Sequence, residues 1–326
     1  MPWFEFSLND FSISFLSILL EGVPFMFIGT LLSGLVDSFV SADSLQKHLP
    51  RNHVLAIGMS GVLGVFFPMC ECGIVPVIRR MIGKGYPVPA ALTYLLAAPI
   101  VNPIVAASTY AAFRGQHPMG VMLFRLVLGF VVAVGVGLLV SRLPLERMLN
   151  SATLARVPKL AGETDKDGDP ACDDERCCEH EPHDGKSRKT FFGKLLAAMR
   201  CATTDFLDVA FYLVIGAALA SVFNTAVNKS FIAPLANNPL AATPGMMLLA
   251  MALSLCSTSD AFIAANFTLF PLASKLAFIV LGPMMDIKLL FMYGLVFKKR
   301  FTLQLLVFLF VTIGILCLAA TRIFRL

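Results

Sequence analysis

Charge is scarce in this chain. Asp, Glu, Lys and Arg make up 14% of its 326 residues, where a soluble domain carries roughly 25%. There is one Trp and there are five His. No phosphate-binding Gly-x-x-x-x-Gly-Lys loop, Ser-His-Asp set or His-Glu-x-x-His helix occurs. These absences argue against a soluble globular enzyme and against an ATP-driven machine: any energy must come from an ion gradient, a partner or the cargo's own gradient. No basic region precedes the first apolar run, which starts near Phe11 and continues past Val36, so it reads as a span and not as a signal peptide. The eight cysteines show no extracellular disulfide framework. The net charge of +5 is spread over loops, and nucleic acid is not an expected partner.

Apolar residues are abundant instead, at 57%, with 28 Phe and 15 Met. Runs long enough for a bilayer core of about 30 Å occupy roughly 13–36, 53–78, 88–113, 119–141, 205–226, 244–270, 273–297 and 301–321. The expected fold is an all-α polytopic membrane protein of about 8–10 transmembrane helices, with the lipid bilayer as its first partner. Residues 1–141 form a first membrane unit, 142–204 a polar loop, and 205–326 a second membrane unit. The loop holds 11 of the 21 acidic residues and is too polar to build a core. Basic residues flank it (Arg142, Arg147, Arg156 and Lys159, then Lys186, Arg188, Lys189, Lys194 and Arg200), which assigns it to the cytoplasm. With four crossings per half, Lys298, Lys299 and Arg300 would fall on the opposite side. A re-entrant hairpin at Cys70 would remove that conflict, giving each half an odd number of crossings and inverting the halves.

The halves resemble each other. "LEGVPFMFIGTLLSGLV" lines up with "LDVAFYLVIGAALASVF", setting Glu21 over Asp208 and Gly29 over Gly216. "MCECGIVP" then meets "LCSTSDAF", with Cys70 over Cys256, and "AAPIVNP" meets "LGPMMDI", with Pro99 over Pro283 and Asn102 over Asp286. Three matches in order at a nearly constant offset, each at a polar interruption, predict two pseudo-symmetric halves with discontinuous helices. In transporters built this way the substrate sits at the repeat interface.

The candidate chemistry lies at those interruptions. Cys70, Glu71, Cys72 and Gly73 stand between Pro68 and Pro76, and Cys256 precedes Asp260 across a Ser/Thr run. Lipid cannot satisfy the backbone that such residues free, so protein or a water-filled cavity must cover it. Thiolates with a carboxylate suit Zn(II), Cu(I) or trivalent arsenic; two inert thiols on a kinked helix are the plainer alternative, and it leaves Glu71 unexplained. Glu21, Asp208, Asp260 and Asp286 also lie within apolar runs, where an ionisable group is a functional candidate by default. Glu21 and Asp208, at matching positions, are candidates for proton coupling or ion relay; pairing near an interface is the alternative. Asp286 and Lys288 are close enough in sequence to pair locally. Pro99, Asn102 and Pro103 break the third run and expose carbonyls and an amide that can coordinate a cation or simply kink the core.

In the polar loop, Cys172, Cys177, Cys178, His180 and His183 form a mixed thiolate and imidazole cluster of the kind that binds Zn(II) or Cu(I). A polar linker with incidental cysteines is the alternative. Cys201 and Cys317 read as packing residues.

Cys70-Glu71-Cys72-Gly73-Ile74-Val75-Pro76 followed by "AAPIVNPIV" resembles the predicted-permease family that contains the YraQ proteins and the ArsP organoarsenical efflux permeases. The resemblance covers most of the apolar chain and rests residue by residue on Cys70, Cys72, Gly73, Pro76, Pro99, Asn102 and Pro103. It implies a multi-span inner-membrane permease, not an enzyme, that expels a soft metal or metalloid. A branch with a Cys/His-bearing central loop is similar to copper and zinc efflux transporters, and this loop leans that way. Glu71 between the thiols departs from the small residues common there and favours a cation over a neutral arsenical. The expectation is export of Zn(II) or Cu(I), the metal being cargo with no cofactor required, by a chain that admits a homo-oligomer. Efflux of trivalent arsenicals is the runner-up. A membrane thiol oxidoreductase using Cys70 and Cys72, or a metal sensor acting through the loop, stand as readings from other classes; the Cys-x-Cys spacing is poor for the former.

Overall fold

A computed structural model describes residues 8–39, 52–67, 69–83, 85–154, 191–226 and 239–324. Regular structure among them is helical. The first half contains α1 (Leu8–Phe39), α2 (His53–Phe66), α3 (Glu71–Gly83), α4 (Val88–Ala97), α5 (Pro103–Ala112) and α6 (Pro118–Val140), then two short turns of helix, α7 (Leu145–Met148) and α8 (Ser151–Leu154). The second contains α9 (Phe191–Ala226), α10 (Pro239–Leu253), α11 (Asp260–Asn266), α12 (Leu272–Met284), α13 (Ile287–Tyr293) and α14 (Lys299–Phe324).

These helices are apolar on both faces, as a bilayer requires and water does not allow. On α14, Leu305, Leu309, Ile313 and Cys317 are buried at four-residue intervals, while Leu303, Val307, Val311 and Ile315 are exposed at the same interval. At about 1.5 Å per residue the 23-residue α6 is about 35 Å long, enough to cross. Among the described residues four stretches are long and apolar enough to do so: Leu8–Leu31, Pro118–Val140, Leu272–Tyr293 and Lys299–Ala319. The chain is an all-α polytopic membrane protein.

All eight apolar segments are present, and each half follows one order: continuous, broken, broken, continuous. The breaks have local causes. Phe67 leaves helical dihedrals (φ −118°, ψ 80°), as a residue before proline does. Asn102, before Pro103, does the same (φ −126°, ψ 129°). Ser254 takes a left-handed conformation (φ 48°) after α10, and α12 stops one residue past Pro283, with Met285 and Asp286 extended.

Packing tells which broken segments cross. The Ser60 hydroxyl meets the Tyr86 hydroxyl at 2.6 Å, and Tyr94 donates to the Phe67 carbonyl at 3.5 Å, so α2 and α4 run in the same direction. Since α3 joins them through a short link, it must return to the end from which α2 started. The segment at Cys70 is a re-entrant hairpin. Thr243 meets Ser274 at 3.0 Å and Gly282 lies against Ala250, so α10 and α12 are likewise parallel and α10–α11 is a second hairpin. The interrupted pairs α4–α5 and α12–α13 run from one end to the other.

The hairpins enter from opposite ends. Asn150 N–H donates to Val296 O at 3.0 Å and Lys298 N–H to Met148 O at 2.9 Å, while α3 packs on α8. The ends of α3, α6 and α13 therefore share one end of the molecule. At the other, Gln116 donates to the Ala265 carbonyl at 3.4 Å and accepts from Lys275 at 2.8 Å. Each half crosses three times, and the halves are inverted. The eight apolar segments therefore give six crossings and two re-entrant hairpins, fewer than the 8–10 transmembrane helices expected, because the Cys70 and Cys256 segments turn back. The conflict over Lys298, Lys299 and Arg300 disappears, because these residues lie beside the start of the polar loop.

Candidate functional site

The two hairpin tips meet. Ile18, Glu21 and Gly22 of α1, Cys70, Glu71 and Cys72, Leu213 of α9, Ser254 and Cys256, and Lys288 line one partly open cavity of about 10 Å³, roughly the space one water centre needs. Of the residues singled out from sequence, the structure brings Glu21, Cys70, Glu71, Cys72 and Cys256 to this point.

The first tip is built by the start of α3. The opening turn of a helix leaves backbone N–H groups without intrahelical partners. Here the Gly73 N–H donates to the Cys70 thiol sulfur at 3.4 Å, so Cys70 caps α3 in the manner of a Ser or Asp. The partial positive charge of that helix end lies beside the thiol. Cys72 and Glu71 are buried and Cys70 is half-buried. The second tip holds Cys256, whose sulfur accepts from the Thr258 hydroxyl at 3.7 Å. Ser259 donates to Glu21 Oε1 at 3.2 Å, tying the second tip to α1. Cys70, Cys72 and Cys256 are free thiols.

Sequence alone pointed to the carboxylates and to a local Asp286–Lys288 pair, but not to Lys288 as the cation of Glu71. Lys288 Nζ donates to Glu71 Oε1 at 3.1 Å and to the Ser254 carbonyl at 3.0 Å, and lies 3.4 Å from Asp286 Oδ2. The local Asp286–Lys288 pairing is therefore present, but Lys288 also crosses to the other half. Burial of all three is almost complete, so the ammonium must be paired with them to be tolerated. Glu71 Oε2 and Asp286 Oδ2 are buried without a hydrogen-bond partner.

Asp260 lies elsewhere, in a second ion pair between the halves. Arg125 of α6 donates to Asp260 Oδ2 at 2.8 Å and Oδ1 at 3.0 Å, to the Ser257 carbonyl at 2.9 Å and to Thr109 Oγ1 at 2.7 Å. Arg125 was legible in principle: it is the lone charged residue of the apolar run 119–141, and a charge in a span demands a partner. Asn102 and Asp286, matched in the repeat, do the same local job. Asn102 Oδ1 accepts from Ile104 N at 2.9 Å and Asp286 Oδ1 from Leu289 N at 2.7 Å, each capping the second piece of a broken crossing. Pro99 sits in the first of those breaks. Gly73 packs against Gly29 of α1, where any side chain would overlap the Gly73 backbone, and Gly216 of α9 packs in the same way on Lys288, where an added Cβ would come within 2.7 Å of the Lys288 backbone. The matched glycines thus let α1 and α9 close over the two half-helices carrying Glu71 and Lys288.

Among the described residues no three His, Cys, Asp or Glu side chains form a closed metal-ion set. Asp208 lies on α9, but its side chain is outside the described residues, as are Cys172, Cys177, Cys178, His180 and His183.

Residues 7–322 match the model of the family ArsP_1, described as predicted permease. The chain is 37% identical over 300 residues, 92% of each chain, to the UPF0718 protein YcgR of Bacillus subtilis. It is 34% identical over 291 residues, 89% of this chain and 88% of the other, to a putative two-component membrane permease complex subunit of Streptococcus mutans. No solved structure matches.

Proposed function

The chain belongs to this family of predicted permeases, and on that premise we propose that it exports a soft metal ion, Zn(II) or Cu(I), from the cytoplasm across the inner membrane. One observation carries the reading: three thiols and two carboxylates, drawn from both hairpin tips and α1, line a single small cavity. Sulfur ligands select thiophilic ions, and a space of about 10 Å³ suits a bare ion better than a substituted arsenical. A site that does not close a full ligand set releases its cargo, as a transporter must. The end bearing Arg79, Arg80, Arg142, Arg147, Lys298, Lys299 and Arg300 is assigned to the cytoplasm, against Arg114 and Lys275 at the other. There the Cys/His loop collects metal. A second component is proposed from the relative named as a complex subunit.

A trivalent arsenical is the alternative cargo. Lys288 neutralises Glu71, which leaves the three thiols to receive an uncharged species.

Uptake into everted vesicles separates the two, comparing Zn(II), Cu(I), arsenite and methylarsenite with and without a proton gradient. Wild type is expected to accumulate Zn(II) or Cu(I). The Cys70→Ser/Cys72→Ser variant should lose at least the roughly 10–100-fold that weakening a metal site costs. Metal uptake undiminished in that variant would sink the proposal, and uptake of arsenicals alone would install the alternative.

A further inference from the structure

Among the described residues two ion pairs join the halves, and they differ in a way that the pseudo-symmetry does not require. Arg125 is held by a carboxylate, a hydroxyl and a carbonyl at once, by a planar fork that stays charged under all conditions. Lys288 is a compact ammonium on a flexible stem, and it lines the cavity. It stands between two carboxylates, 3.1 Å from Glu71 and 3.4 Å from Asp286, each with one buried oxygen lacking a hydrogen-bond partner. Asp286 holds its place through Oδ1 and the Leu289 N–H at 2.7 Å, leaving Oδ2 to receive the ammonium. A buried carboxylate without a cation is costly, so Glu71 needs one whether or not cargo is present. A metal cation and the ammonium cannot both occupy the Glu71 side of so small a space.

We propose that Lys288 is a tethered cation that competes with the transported metal for Glu71: it fills the site in the empty permease and withdraws onto Asp286 when metal enters. This rests on the soft-cation reading above and adds its specificity and exchange logic. The empty carrier can reorient because Lys288 neutralises Glu71, whereas a carrier without Lys288 can reorient only when loaded. Arg125–Asp260 stays closed throughout and acts as the fixed joint between the halves.

The test uses purified full-length protein with Cd(II) as a soft divalent probe. Binding is measured calorimetrically in detergent, and net efflux and Cd(II)–Cd(II) exchange in proteoliposomes. Lys288→Met should bind Cd(II) more tightly by about tenfold or more, a difference of 1.4 kcal/mol. It should lose net efflux by a similar factor while exchange stays near wild type. Asp286→Asn keeps the cap on α13 but removes the charged resting place, so Cd(II) binding should weaken. A general folding defect would weaken both variants and so cannot imitate the opposite shifts. Lys288→Met binding no tighter than wild type, or losing exchange as fully as net efflux, overturns the proposal and leaves the soft-cation reading standing. A wild type that neither binds nor moves Cd(II) overturns the parent reading and this proposal with it.

Discussion

At the residue scale, the two inter-half ion pairs set the energetic stakes. Arg125 and Asp260 are 1% and 2% exposed, so removing either partner leaves the other buried without compensation. Such a loss costs about 3–5 kcal/mol, whereas replacing both members by apolar groups is often close to neutral. Arg125→Met and Asp260→Asn should each lower the thermal unfolding midpoint in detergent strongly. Arg125→Met/Asp260→Leu should recover most of the loss. A double variant as unstable as the sum of the singles would mean that the pair is not the unit described here. The carboxylate side of both pairs was visible in sequence, because an acid in an apolar run is conspicuous. The cationic side was less so: Lys288 has Asp286 two residues away, which hides its longer reach.

At the element scale, close packing of α1 and α9 on the broken helices depends on two glycines. Lipid provides no hydrophobic drive between helices, so small residues that allow backbone approach carry much of the association. A methyl group on Gly29 would overlap the Gly73 backbone, and one on Gly216 would press on Lys288. Gly29→Ala and Gly216→Ala should each cost about 1–3 kcal/mol and reduce transport. Gly58→Ala on α2 has open space around it and should instead gain up to about 1 kcal/mol from helix propensity. Unfolding midpoints in detergent, with transport beside them, give the comparison; Gly29→Ala as harmless as Gly58→Ala would refute the close approach. The match of Gly29 with Gly216 was legible from the repeat. What each glycine touches was not.

At the scale of the whole molecule, inversion of the halves makes a prediction about sidedness. Exposed Arg147 and Arg300 belong to one end and exposed Gly115 and Thr268 to the other. Cysteines introduced singly at 147 and 300 should react with a membrane-impermeant maleimide in everted vesicles. Those at 115 and 268 should react only from the opposite face. Labelling of all four from one face would exclude three crossings per half. An even number of crossings per half was an equally good description of the hydropathy profile, which records apolar length and not direction of travel.

The sequence by itself determined that the chain lives in lipid and where most of its helices break. Composition decides the first because the bilayer rejects charge. Proline and the residue before it decide most of the breaks, because their steric limits act within one or two residues. Tertiary structure alone decided that the Cys70 and Cys256 segments turn back, and that Lys288 crosses 217 positions to reach Glu71 while Arg125 crosses 135 to reach Asp260. The reason is that a charge in a low-dielectric interior must find a partner. Nothing local specifies which one, and only the packing of rigid helices brings a particular pair within hydrogen-bonding distance.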